Sequence, residues 1–158
     1  MSESPTALDL SGFLPYRLSV LANTVSRELA ALYAKRFGIT IPQWRIIAVL
    51  GQHANVSADF VGGRTAMDRV TVSRAIAGLL ARKLILRRSS PSDRRCSMLR
   101  LTAAGQRVYA EIVPLARAYE TRLLSRLSAA DRQHLAQALT ALETQVAADA
   151  AAGDLTAD

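Results

Sequence analysis

Apolar positions recur at helical spacing along most of the chain. From Ser11 to about Phe37, Leu14, Leu18, Leu21, Val25, Leu29 and Leu32 follow in steps of three and four, which predicts a long amphipathic helix. Pro15 falls in or near its first turn, where a missing N–H is tolerated. Gly38 stands where a C-terminal stop belongs. Thr40 then predicts a cap for a second helix from Ile41 to about Leu50, with Pro42 in its first turn. Trp44, Ile47 and Leu50 mark its inner face, Ile46 and Val49 widen it, and Gly51 ends it. Ser57 and Asp59 predict a short third helix over 58–66. Its interior Gly62-Gly63 costs roughly 1 kcal/mol per glycine relative to alanine. Asp68 predicts the cap of a fourth helix, Arg69 to about Lys83, with Val72, Ile76, Leu79 and Leu80 facing inward. Two short helices joined by a tight turn outline a helix-turn-helix.

The period then changes. Leu84 to Arg88 is a short β-prone run, Ser89 to Asp93 is rich in turn formers, and Arg95 to Leu101 alternates with Ser97, Leu99 and Leu101 on one face. Two strands around a polar loop predict a hairpin, so the middle of the chain is a winged helix-turn-helix. Thr102 predicts the cap of a helix running to about Leu127 on Val108, Ile112, Leu115, Tyr119, Leu123 and Leu127, with Pro114 predicting a kink or break. Ser128 caps the last helix, whose face is Leu135, Leu139, Leu142 and Val146. The fold class is mainly α (α+β). Residues 41–102 form the winged domain, 11–40 and 103–148 a helical dimerisation region, and 1–10 and 150–158 disordered tails. Long amphipathic helices flanking so small a domain need a surface to cover them, and a second copy is the economical one.

Charge sharpens this picture. The 158 residues carry 20 basic and 13 acidic side chains, a net charge of +7. The window from Arg64 to Arg100 alone holds +8 and the remainder −1. Charge gathered this way concentrates positive potential where a polyanion docks. The single cysteine, Cys96, excludes an intramolecular disulfide, and the distant pair His53 and His134 offers no clustered metal ligands. The polar, acidic N-terminus is unlike a signal peptide, and no 18-residue apolar run occurs. These features predict a reducing, cytoplasmic setting, with no cofactor, no metal and no membrane partner. Neither a P-loop nor a nucleophile elbow is present, so the chain is not read as an enzyme.

The sequence resembles the MarR (multiple antibiotic resistance regulator) family. The resemblance rests on Asp93-Arg94-Arg95, five free positions and then Leu101-Thr102, which fits the family's wing signature. Met67 to Arg74 resembles the start of its recognition helix, and Ile41-Pro42-Gln43-Trp44-Arg45 the entry to its second helix. The order of elements agrees over about residues 11–148. Gly62-Gly63 departs from the helix formers usual in the third helix. The resemblance implies a triangular, two-lobed homodimer. It implies binding to double-stranded DNA at a pseudo-palindromic promoter site, most often as a repressor, and release by a small, often aromatic or anionic effector.

A helix entering the major groove reads bases with its N-terminal residues, here Arg69, Val70, Thr71, Ser73 and Arg74. Arginine can bond guanine bidentately, and threonine can touch a thymine methyl. At the wing, the resemblance makes Arg95 the arginine that enters the minor groove, beside Arg94, with Asp93 orienting a neighbouring arginine. Arg88, with Arg87 and Arg100, adds phosphate contacts or field. For the effector, Tyr16, Arg17, Ser19 and Asn23 on the first helix and Trp44 and Arg45 on the second are the candidates. Core packing is the competing role for Trp44. Cys96 lies beside basic residues that favour its thiolate, but peroxide-sensing relatives carry their cysteine near the first helix. An architectural DNA binder without an effector is the alternative function.

Overall fold

A computed structural model describes residues 8–89 and 97–152. It contains α1 (Leu14–Phe37), α2 (Ile41–Gln52), β1 (Val56–Ser57), α3 (Ala58–Thr65), α4 (Arg69–Ala81), β2 (Ile85–Ser89), β3 (Ser97–Leu101), α5 (Ala103–Leu123) and α6 (Ala129–Ala152). The chain divides into two compact units, residues 1–116 and 117–158.

Helices α2, α3, α4 and α5 each begin where the sequence supplies a cap. Thr40 and Gln43 form a reciprocal capping box at α2, so two backbone donors that no helical carbonyl reaches are satisfied. Ser57 accepts from the Phe60 N–H at 3.1 Å, and Asp68 accepts from the Thr71 N–H at 2.8 Å. Thr102 accepts from the Gly105 N–H at 3.1 Å. Helix α1 starts at Leu14, where its apolar stripe begins and three residues after the expected start at Ser11, because Ser11 folds back onto the Asp9 carboxylate in a local turn. It ends on Gly38 at φ 61, a left-handed conformation that glycine adopts without steric cost.

The core gathers the inward faces of these elements. Ile46, Ile47 and Leu50 of α2 meet Val61 of α3 and Val72, Ile76 and Leu79 of α4, with Ile85, Leu99, Leu101 and Ile112 closing the cluster. Burying one such side chain is worth about 1.5–3 kcal/mol. Tyr33, only 1% exposed, carries α1 into the same cluster. Ion pairing and capping add two ties. Arg36 of α1 pairs with Glu111 of α5. Arg82, just past α4, donates to the carbonyls of Gly38 and Phe37 at 2.7 and 2.6 Å, supplying charged donors to the end of α1.

The hairpin is present, with a third strand that the pattern missed. Strands β2 and β3 pair antiparallel from Ile85 opposite Leu101 to Ser89 opposite Ser97. Strand β1 adds to the other edge, Val56 opposite Leu99, giving the order β1-β3-β2. Two residues are too few to show a period, which is why β1 escaped notice.

Two expectations at the C-terminal side need correction. Pro114 does not break the assigned helix, since α5 runs from Ala103 to Leu123. Pro114 and Ala110, whose carbonyl loses its helical partner, are both exposed, a position where solvent can take the place of the lost N–H. The helix also stops before Leu127. Ser125 and Leu127 bond three residues back, to Arg122 and Leu124, and tighten the chain into a turn.

In the second unit, Ser128 and Asp131 form a box at the start of α6, with the Ser128 hydroxyl 2.6 Å from the carboxylate. Helix α6 continues to Ala152, past the boundary where a disordered tail was expected. It buries no residue, and Leu135, Leu139, Leu142 and Val146 stay exposed. Among the described residues no helix is long and apolar enough to cross a membrane.

Candidate nucleic-acid interface and effector cavity

Helix α4 sets out the candidate base-reading residues. Its buried side, Val72, Ala75, Ile76 and Leu79, locks it into the core. The opposite side leaves Arg69, Val70, Ser73 and Arg74 exposed. Val70 is 58% exposed. Arg69 approaches Asp59 at 3.7 Å, but both side chains are about nine-tenths exposed. Such a pair is screened by water and holds neither group firmly.

Thr71 is placed differently from its neighbours. It is half-buried, and its hydroxyl donates to the second oxygen of Asp68 at 2.6 Å. That bond comes first among the causes that hold the Asp68 carboxyl below its usual range, and the Thr71 backbone N–H comes next. The cap is therefore charged at any pH near neutrality, and it fixes the direction in which α4 starts.

Arg87 and Arg88 project, exposed, from β2. Arg87 shares a cavity of about 380 Å³ with Asp59, Arg69 and Ser73, so strand and helix contribute charge to one face. Arg100 on β3 is half-buried, and its Nε has no hydrogen-bond partner among the described residues. Asp93, Arg94, Arg95 and Cys96 lie outside the described residues.

The six candidate effector residues do not form one site. Tyr16 and Arg17 line a shallow groove of about 320 Å³ with Leu10, Val20 and Leu21. Ser19 is exposed and lines neither that groove nor the other two cavities. Trp44 sits in an aromatic run, its ring 5.7 Å from that of Tyr33 and 6.3 Å from that of Tyr109, which is the packing role. Asn23 and Arg45 do come together, in a cavity of about 540 Å³ lined also by Ser26, Arg27, Ile41, Pro42, Met67 and Thr71.

That cavity joins α1, α2 and the first turn of α4. Two guanidinium groups, two short polar side chains and Thr71 meet an apolar wall of Ile41, Pro42 and Met67. Such a lining suits a molecule with a flat apolar body and an anionic end. Arg45 donates to the Ser26 hydroxyl and to the Thr65 carbonyl, both at 3.3 Å. Its charge also reaches Tyr33. Burial raises that phenol to about 12, and Arg45 opposes the rise. Sequence reasoning passed over Ser26 and Arg27. Their spacing from Asn23, three and four positions, was the available signal.

A model of the MarR family matches residues 37–95. Among solved structures, a MarR/EmrR family transcriptional regulator from Acinetobacter sp. ADP1 is 27% identical, with a TM-score of 0.81 over 88% of this chain and 98% of that one. The PcaV transcriptional regulator from Streptomyces coelicolor, solved with its natural ligand, is 25% identical, with a TM-score of 0.74 over 90% and 99% of the two chains. BpsR from Bordetella bronchiseptica, whose DNA binding is regulated by 6-hydroxynicotinic acid, is similar in fold, with 24% identity, a TM-score of 0.77 and coverage of 89% and 98%. No curated protein matches the chain.

Proposed function

We propose that the chain is a winged helix-turn-helix transcriptional regulator of the MarR family, whose model matches residues 37–95 and whose solved members share its fold, and that it is a homodimeric repressor. It holds a pseudo-palindromic promoter site and is released by a small anionic or aromatic effector. The exposed Arg69, Ser73 and Arg74 on the outer side of α4 carry this conclusion. A helix locked by its inner face and armed with arginine on its outer face presents base-reading groups at no cost to its own packing. Residues 41–102 act as the reading head, and the wing residues Asp93, Arg94 and Arg95 act at the minor groove.

Dimerisation is supported by uncovered apolar stripes on the terminal helices. Leu14, Leu18 and Leu21 of α1 and Leu135, Leu139, Leu142 and Val146 of α6 are all exposed in one protomer. Contiguous apolar surface on long helices marks an association face, and closed twofold pairing covers it with an identical copy.

The effector is proposed to occupy the cavity of Asn23, Arg27, Arg45 and Thr71. PcaV was solved with a ligand, and 6-hydroxynicotinic acid regulates BpsR, which supports a small-molecule role here. A ligand releases DNA only if it binds the DNA-incompetent arrangement more tightly. In a fluorescence-anisotropy titration, an aromatic carboxylate from a panel of such acids should weaken operator binding at fixed salt. The amide of the same acid should act far more weakly. Operator affinity that no aromatic acid changes would leave DNA binding without this form of control.

A further inference from the structure

We propose that Arg45 is the strut through which the cavity controls the reading head. It props the end of α3, and an entering carboxylate draws its guanidinium away. The second half rests on the effector reading above; the first does not.

Thr65 closes α3, so its carbonyl is among those that no helical N–H reaches. Arg45 supplies a charged donor to it from α2. Thr65 is buried, and its own hydroxyl is already committed to the carbonyls of Val61 and Gly62, at 2.9 and 3.2 Å. The next residue, Ala66, is held at φ 49 and ψ 43, a left-handed conformation that a residue with a Cβ adopts only when its surroundings enforce it. Two residues further on, Asp68 starts α4. The carbonyl that Arg45 grips therefore precedes the turn that aims the recognition helix.

Helix α3 depends on outside support more than most. It is eight residues long and has Gly62-Gly63 in its interior, and both features weaken a helix. Neither glycine is demanded by crowding, since a Cβ at Gly62 would meet Val72 only at 3.9 Å and one at Gly63 would meet nothing. With weak intrinsic propensity, its end is fixed by tertiary contacts such as the Arg45 bond.

The same guanidinium lines the cavity. Both its bonds are 3.3 Å long, beyond the usual range for a strong N–H···O bond. Both acceptors are neutral. A carboxylate offers two charged acceptors matched to the guanidinium fork. It therefore competes favourably for donors that otherwise serve the two neutral acceptors on Ser26 and Thr65. Thr71, tied to Asp68, lines the same cavity, so the strut and the start of α4 border one space.

The test compares the full-length dimer with Arg45→Met and Ser26→Ala. Hydrogen exchange is followed over residues 62–70, operator affinity by anisotropy, and benzoate binding through Trp44, the only tryptophan in the chain. Arg45→Met should speed exchange and weaken operator binding by about tenfold each, the effect of removing one charged donor from a half-buried carbonyl. Ser26→Ala, which leaves the Thr65 bond in place, should stay near wild type in both. Benzoate should speed the same exchange in wild type and have no further effect on Arg45→Met. Should Arg45→Met fail to fold, Arg45→Gln, too short to span both partners, takes its place in every comparison.

Wild-type exchange and wild-type operator affinity in the folded variant would overturn the strut. So would equal losses in Ser26→Ala, which would place the anchor on α1. Benzoate that binds and releases DNA equally well from the Arg45 variant would overturn the anion half alone. Benzoate with no effect on wild type would remove the effector reading and that half together, while the strut would still be decided by exchange in the variant.

Discussion

Replacing Arg69 and Arg74 together by alanine should lower operator affinity on the order of a hundredfold or more, with the fold intact. Each arginine that meets a base edge or a phosphate contributes about 1–3 kcal/mol. Both side chains are exposed on the outer side of α4 and neither packs into the core. The ion pair of Arg69 with Asp59 is solvent-exposed at 3.7 Å, so its loss changes stability little. Far-UV circular dichroism and the urea midpoint should therefore match wild type. Arg107, exposed on α5, is the control, and Arg107→Ala should bind nearly as the parent does. The salt dependence sorts the two roles. Removing an arginine that binds a phosphate lowers the slope of log affinity against log salt by about one, whereas removing one that reads a base relaxes specificity at one position. Wild-type affinity in the double variant would take α4 out of the groove.

Gly105→Ala should destabilise the protein by about 3 kcal/mol, at the upper end for an overpacked site. A Cβ there would sit 2.0 Å from the Leu84 carbonyl oxygen, 3.0 Å from its carbon and 3.2 Å from Leu101 Cδ2. The first two atoms are backbone and cannot rotate away. The same carbonyl accepts the Thr102 N–H at 3.0 Å, and the Thr102 hydroxyl reaches it at 3.2 Å, so pushing it aside also loosens the cap of α5. A whole domain is stable by only about 5–15 kcal/mol, so the midpoint of urea unfolding should fall far. Gly63→Ala is the contrast. It lies inside α3 with open space around the added methyl, and it should raise stability by about 0.5–1 kcal/mol through helix propensity alone. A Gly105→Ala protein as stable as wild type would mean that the first turn of α5 is not seated on the end of α4 and the start of β2.

How much of this was legible beforehand follows from what sequence patterns can encode. Helical stripes and caps are local. Ser57, Asp68, Thr102 and Ser128 announced their helices within a residue or two, because a side-chain oxygen three positions before a backbone N–H is a short-range fact. The hairpin showed for the same reason, through the alternation ending at Leu99 and Leu101. The strand β1 did not, since Val56 and Ser57 gain their meaning only from Leu99 and Met98. The break expected at Pro114 did not occur, and how a helix carries an interior proline depends on whether the orphaned carbonyl faces solvent, which is a tertiary property.

The candidate site divides along the same line. Arg69, Ser73 and Arg74 follow from their place in the first turns of a helix. The cavity proposed for the effector does not, because it joins Asn23 to Arg45 and Thr71 across three elements. Six residues chosen for polarity near a junction included two that line it. Thr71, chosen for a base contact, turned out to line it as well, with its hydroxyl bound to Asp68.

Selection of binding sites from a random duplex pool, followed by hydroxyl-radical footprinting of the winners, tests the central claim most directly. Two copies reading together should recover an inverted repeat and protect two half-sites whose centres lie about 10–10.5 base pairs apart, or a multiple of that, on one side of the duplex. Recovery of no shared motif, or protection of one isolated half-site, would contradict it.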